Sequence, residues 1–224
     1  MPAVSWTHAP PLSIYASRYN GRVNREGILR MITTTYRSPL GDIELAADAR
    51  GLAGMWFADA AAPVLSRSVD AEVDVRDALS GSGDGAVDPA NAAALAVLER
   101  TWAWLNSYFA GQTPLWLPPL HEAGTELGHA VRVALLEIPH GTTVPLGEFA
   151  RMVAERCGFV EGPADAGTAD DDSFFPDRIE RELMDSPLSL VVPLHRVTDG
   201  EGSPVWHAAG ADRARSLLAF ERSR

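Results

Sequence analysis

The chain has 224 residues, 46% of them hydrophobic, with no apolar run long enough for a membrane helix; it can bury one good core or two small ones and is not expected to span a bilayer. Its net charge of −11, with arginine supplying all 19 basic residues, argues against a broad phosphate-binding surface while leaving room for a local basic face. One cysteine, Cys157, excludes an internal disulfide framework, and the absence of a continuous apolar stretch in residues 1–30 argues against a secretory signal, so the expected compartment is cytoplasmic.

Residues 1–30 read as an extension of mixed polarity without a clear period, and Met31 is an alternative start that would leave this extension untranslated. From Met31, threonine-rich and alternating stretches broken by Ser38-Pro39-Leu40-Gly41 and Asp48-Ala49-Arg50-Gly51 predict three short strands joined by turns. Residues 77–88, rich in Gly, Ser and Asp, read as a flexible loop. Asp88 as N-cap and Pro89 at the first helical position then open a helix. Its buried face is expected to carry Leu95, Leu98, Trp102, Leu105 and Phe109, and Gly111 ends it. Trp102 and Trp104 are two apart, so only one is expected to face the core, the other covering a loop or a partner.

A proline-rich crossing follows, and the chain is read as an α+β domain over 31–115 and a mainly helical domain over 120–224. In the second domain Thr125 caps a helix reaching Ile138, stopped by Pro139 and Gly141. Pro145 at the first helical position opens another, stopped by Gly158, and an acidic loop spans 158–173. A third helix over Phe175–Met184 places Phe175, Ile179 and Leu183 on one face. Leu188–Val192 read as a short buried extended run ending at Pro193. The last helix, Ala211–Glu221, turns Ala214, Leu217 and Leu218 inward. The helices at 146–157 and 175–184 fit a loose helix-turn-helix description, although the loop between them is longer than that motif's tight turn. No internal repeats are seen.

The stretch "SPLSLVVPLHRVTDG" holds a Pro-X-His-Arg-Val frame whose X is Leu194, a side chain with no lone pair to donate. Cys157 is the only thiol; at the C-terminal end of a helix, where the dipole disfavours a thiolate, it reads as inert. His8, His121, His129, His140 and His207 show no ligand spacing, and the aspartates at 170–172 read as a solvated loop, so no metal or other cofactor is expected. Trp206 beside His207 reads as an ordinary packed tryptophan, with the wall of a pocket for a base or small molecule as the alternative.

Several of these segments together resemble one family, the methylated-DNA–protein-cysteine methyltransferases, which remove alkyl groups from O6 of guanine. "SPLG" near the start of the first domain, "SYFAG" at 107–111, "ALLEIPHGTTVPLGEFA" up to residue 150, the frame "PLHRV" and "LLAFE" at 217–221 follow the family's order over about residues 31–224. The resemblance implies a small sheet domain followed by a domain carrying the helix-turn-helix and the active site. It implies that His195, working through a water and held by Glu221, would activate a cysteine that corresponds here to Leu194. Arg196 is retained with them.

Other matching positions differ from the family. Leu146 replaces the tyrosine that helps rotate the target nucleotide, and Ser186 the asparagine that braces the active-site turn. Asp177 replaces the arginine that fills the gap left by the extruded base; Arg178, about 100° further round the helix, would point elsewhere. Ala209-Gly210 stands for a Gly-Gly, and His207 for a tyrosine covering the base. From Glu161 to Asp185 nine acids and two arginines give a net −7, which disfavours groove reading by this helix.

The expected function is therefore that of a DNA-repair alkyltransferase homologue unable to transfer alkyl groups. The alternatives are an alkyltransferase-like sensor that binds O6-alkylguanine in duplex DNA, and a non-enzymatic scaffold whose acidic surface contacts a basic protein. A methyltransferase acting through Cys157 is a third. For His195 and Glu221 two readings stand, a surviving acid–base pair and a buried polar brace, with the brace favoured; Arg196 reads as an anchor.

Overall fold

The computed structural model describes residues 19–20, 31–60, 72–73, 89–121, 124–158, 174–205 and 210–223. The chain divides into two compact units, with the break between Glu122 and Ala123. The glycine-rich stretch 77–88, the N-cap assigned to Asp88, nearly all of the acidic loop and the pair Trp206–His207 lie outside the described residues.

The first unit is built on an antiparallel meander of β2 (Ile32–Ser38), β3 (Gly41–Asp48) and β4 (Gly51–Phe57). Both predicted turns are where the sequence puts them, and side chains close them. Ser38 Oγ donates to Gly41 O at 2.6 Å and accepts from Leu40 N at 3.1 Å, while Asp48 Oδ1 accepts from Arg50 N at 2.8 Å and Gly51 N at 3.2 Å. Ile32, Thr34 and Tyr36 are buried on alternate positions of β2, the period-two signature of a half-buried strand. Two-residue strands, β1 (Tyr19–Asn20) and β5 (Glu72–Val73), pair antiparallel. The sequence alone showed no element at either place.

Helix α1 (Pro89–Phe109) packs on this sheet. Tyr36 sits edge-on to Trp102 at 5.1 Å and stacks with Phe109 at 6.1 Å, and its hydroxyl donates to Asn106 Oδ1 at 3.0 Å. Burial pushes the Tyr36 phenol up to about 12. Contrary to expectation, both tryptophans are buried: Trp104 stacks on Tyr108 at 5.3 Å. The helix buries a second stripe, Val97, Thr101, Trp104 and Tyr108, beside the predicted one, so the single-face assumption was too narrow. Leu95, in turn, is only half-buried, and the neighbouring Ala94 takes the inward position.

After α1 the chain returns alongside β4. Leu52 N donates to Pro119 O at 2.7 Å and His121 N to Leu52 O at 2.9 Å. Gly51 is required at this crossing, since a Cβ there would lie 2.6 Å from the backbone of His121 and Leu120. His121 Nδ1 lies 2.9 Å from Oδ2 of the buried Asp48, and this contact closes the same corner.

The second unit holds α2 (Glu126–Glu137), α3 (Leu146–Arg156), α4 (Phe174–Asp185) and α5 (Ala211–Arg222), with two short parallel strands, β6 (Val144–Pro145) and β7 (Val197–Thr198). Helices α2, α3 and α4 pack pairwise, burying Val131, Leu135, Phe149, Val153, Ile179 and Leu183. Thr125 caps α2, its Oγ1 accepting from Gly128 N at 2.9 Å. Pro145 differs from its predicted place: it is the extended N-cap of α3 and closes β6, so the helix starts at Leu146. Its fixed φ suits both roles, and the ladder to β7 holds the residue extended.

The run 188–192 is buried as predicted but is not a strand. Leu190 has φ 60°, and tight turns satisfy the backbone, Val191 N donating to Ser189 O and Leu194 N to Val192 O, each at 2.8 Å. Apolar composition marked the burial correctly; it cannot distinguish a strand from a compact series of turns. Among the described residues no helix is long and apolar enough to cross a membrane.

Candidate functional site

The frame Pro193–Val197 forms a single 3-10 turn, Leu194–Arg196, with Pro193 as its N-cap. Val197 then enters β7 and pairs with Val144 of β6, which pins the turn beside the start of α3. Leu194 and His195 are both buried, at 1% and 0% exposure. The inward faces of α5, set by Ala214, Leu217 and Leu218, deliver Glu221 to the same place, itself only 1% exposed.

Glu221 is the centre of the site. Its Oε1 lies 2.8 Å from His195 Nε2 and accepts from Arg196 Nη2 at 2.9 Å. Its Oε2 accepts from Arg196 Nε at 2.9 Å and from the backbone N of Gly141 at 2.9 Å. Arg196 thus grips the carboxylate with two donors, in the fork geometry that suits guanidinium and carboxylate, and sends Nη1 to Ile138 O at 2.6 Å. His140 completes the group, its Nδ1 3.5 Å from Arg196 Nη2 and 3.8 Å from Glu221 Oε1.

Burial alone would raise the Glu221 carboxyl. Hydrogen bonds from His195 and Arg196, and the arginine charge, overcome it and hold the group far below the usual carboxylate range. His195 is shifted down: burial disfavours the imidazolium, with Glu221 opposing and Arg196 and His140 adding to the effect. The pair therefore consists of a carboxylate and a neutral imidazole. A carboxylate only accepts, so Nε2 carries the ring proton and Nδ1 keeps a lone pair. That Nδ1 is buried without a hydrogen-bond partner among the described residues. Chemically the site can orient a neutral histidine as a proton acceptor. Among the described residues, no three His, Cys, Asp or Glu side chains are grouped to hold a metal ion.

The structure thus brings Leu194, His195, Arg196 and Glu221 together. Sequence reasoning missed His140 and the Gly141 amide, which come from a turn 80 residues before Glu221; His140 lacks ligand spacing because its partners are set by tertiary closure. Leu146 is the half-buried first residue of α3, and Ser186 is half-buried just after α4. Asp177 and Arg178 are exposed on α4. Cys157, exposed at the end of α3, lines a cleft of about 720 Å³ with Thr125, Arg178, Arg181 and Glu182, and no histidine is part of that lining. Trp206, His207 and Ala209 lie outside the described residues, and Gly210, with φ 87°, precedes α5.

No family model matches the chain. It is 32% identical over 120 residues to the methylated-DNA–protein-cysteine methyltransferase of Mycobacterium tuberculosis, covering 54% of this chain and 62% of that protein. The match to these mycobacterial relatives spans less than two thirds of their length. The rat protein of the same name is 26% identical over 199 residues, 87% of this chain and 83% of the relative. Among solved structures, the O6-methylguanine methyltransferase of Mycobacterium tuberculosis superposes with a TM-score of 0.59 at 24% identity, covering 87% of this chain and 94% of that one. The same organism's protein in complex with DNA gives 0.55 at 24% identity over 84% and 91%. The shared sequence and the shared α+β architecture agree: over most of its length this chain is similar to the methylated-DNA–protein-cysteine methyltransferases.

Proposed function

We propose that this protein is a DNA-repair alkyltransferase homologue that does not transfer alkyl groups to itself, because Leu194 stands where the reaction needs a sulfur. The observation that supports the reading most directly is the pairing of a buried Leu194 with an oriented neutral histidine next to it. The lone pair at His195 Nδ1 suits the removal of a proton from a thiol. Leu194 has only C–H bonds, so the base has no acid to act on and no thiolate can form. Cys157 offers no substitute, since its exposed cleft is lined without a histidine.

A second reading, recognition of O6-alkylguanine without transfer, is favoured by the intact Glu221 network, which keeps the turn ordered without a nucleophile. A relative of similar fold has been crystallised with DNA. Against it stand Asp177 and the acidic run around α4, where counterion release would be small. A scaffold with a basic protein partner is the reading that this charge supports.

The deciding experiment titrates the protein into a duplex with one O6-methylguanine and into the same duplex with guanine, at low and moderate salt. Intact mass is then read from each sample. The proposal expects unchanged mass in all samples. Preference for the lesion would establish the sensor, equal weak binding would favour the scaffold, and a mass gain would overturn the proposal.

A further inference from the structure

The turn between α2 and β6 is built around a carboxylate from the far end of the chain. Ile138 O accepts from Arg196 Nη1, and Gly141 N donates to Glu221 Oε2. His140 sits between these anchors. Its side chain is 14% exposed, whereas the His195 side chain is 0% exposed, so His140 is the histidine of this cluster that lies nearer the surface.

We propose that His140 is an acid-sensitive latch: the turn 138–141 stays closed on Glu221 while the ring is neutral and loosens when the ring takes a proton. In the neutral ring Nδ1 can present a lone pair to the Arg196 guanidinium, 3.5 Å away. In the imidazolium both ring nitrogens are donors, so an N–H would face an N–H and two positive charges would adjoin. Glu221 Oε1 is an acceptor within reach, at 3.8 Å. That oxygen already takes His195 Nε2 and Arg196 Nη2. Three donors then compete for one oxygen. Arg196 is the member that also holds Ile138 O, so its displacement slackens the turn.

Among the described residues, the charged and titratable groups facing His140 include Glu221 from α5 and Arg196 and His195 from the 3-10 turn. Nearby, Arg222 of α5 reaches Thr143 Oγ1 at 3.4 Å, and Glu137 at the end of α2 is taken up by Arg156. Burial lowers the His140 imidazole below its ordinary value; Glu221 opposes this and Arg196 adds to it. A depressed histidine contributes stability that is present above its unfolded value, about 6.5, and is lost as pH falls through the folded one. The turn runs directly into β6 and the first residue of α3, so its loosening reaches the first helix of the helix pair.

Nitrogen NMR of the full chain between about pH 8 and pH 4.5 tests this, following the Gly141 amide and the His140 and His195 rings. The expected result is a Gly141 amide shift that shares its midpoint with the His140 ring. That step should disappear in both His140→Asn and His140→Gln, while the His195 ring keeps its own behaviour. A Gly141 step that survives both substitutions would overturn the latch, and so would a His140 ring that titrates without moving the Gly141 amide. The latter is read on the natural chain, so it holds whether or not either variant folds.

Discussion

His195 and Glu221 meet 2.8 Å apart, 26 residues apart in sequence, and neither side chain is exposed. The pair, together with Arg196, ties α5 to the 3-10 turn that carries Leu194. On the proposed reading, with a leucine at position 194, the same contacts serve as a brace. The measurable consequences of a brace differ from those of a catalytic relay.

Removing the carboxylate should destabilise the second unit. Glu221→Gln or Glu221→Ala leaves Arg196, the Gly141 amide and His195 without their shared acceptor, and breaking a buried charged pair costs about 3–5 kcal/mol. Urea denaturation should show a clearly lowered midpoint, with the alanine variant at or beyond the limit of folding. A loss within about 0.5 kcal/mol, the range of an ordinary surface substitution, would remove the brace from the account.

Acid should weaken the protein in two stages, and the sign follows from the shifts. His195 and His140 are both lowered, so the unfolded chain binds more protons as pH falls below about 6.5 and stability declines there. Glu221 is lowered as well, so its contribution is present above the ordinary carboxylate value and is lost on further acidification. Thermal melting at closely spaced pH values should show a falling midpoint from neutral pH downward. A flat profile to about pH 4.5, below the histidine range, would contradict the burial of a neutral His195.

Leu194→Cys should place a thiol beside His195, the base of the proposed reading. The substitution removes packed methyl groups and should cost about 1–3 kcal/mol, less than truncation to alanine. With O6-methylguanine duplex, intact mass should rise by one methyl group on the variant and stay unchanged on the natural chain. In that transfer the sulfur–carbon bond forms as the carbon–O6 bond breaks, and the guanine leaves with the proton that His195 relays. Absence of any gain in a folded variant would mean that the losses at Leu146, Asp177 and Ser186 are by themselves sufficient to silence the site.

In the first unit, Asp48→Asn should lower stability by about 2 kcal/mol or more. It leaves the His121 contact without its charge, although the amide oxygen can still accept from Arg50 and Gly51. Calorimetry should find melting shifted to lower temperature, and Asp48→Ala, which also removes the turn caps, should shift it further. Equal melting of Asn and Ala variants would show that the turn contacts contribute nothing.

Local chemistry was readable without coordinates where it is local in cause. The Ser38–Gly41 and Asp48–Gly51 turns, the Thr125 cap, the stop at Gly158 and the inward face of α5 depend on φ freedom, short-range hydrogen bonds and side-chain period. The frame around Leu194 also identified His195, Arg196 and Glu221 as a group before any contact was known, because the family resemblance carries their spacing.

The elements that sequence misjudged depend on what other parts of the chain supply. Trp104 is buried on a second stripe of α1, stacked on Tyr108, beside the face that the helical period marks. Residues 188–192 are a compact series of turns because Leu190 takes a left-handed conformation and nearby carbonyls accept its neighbours' amides. His140 enters the Glu221 network and His121 meets Asp48 only once distant segments close. The sequence by itself determined the helices, the turns, the family resemblance and a leucine at position 194; tertiary structure decided which polar groups lose water together, and desolvation with mutual pairing then set their charge states.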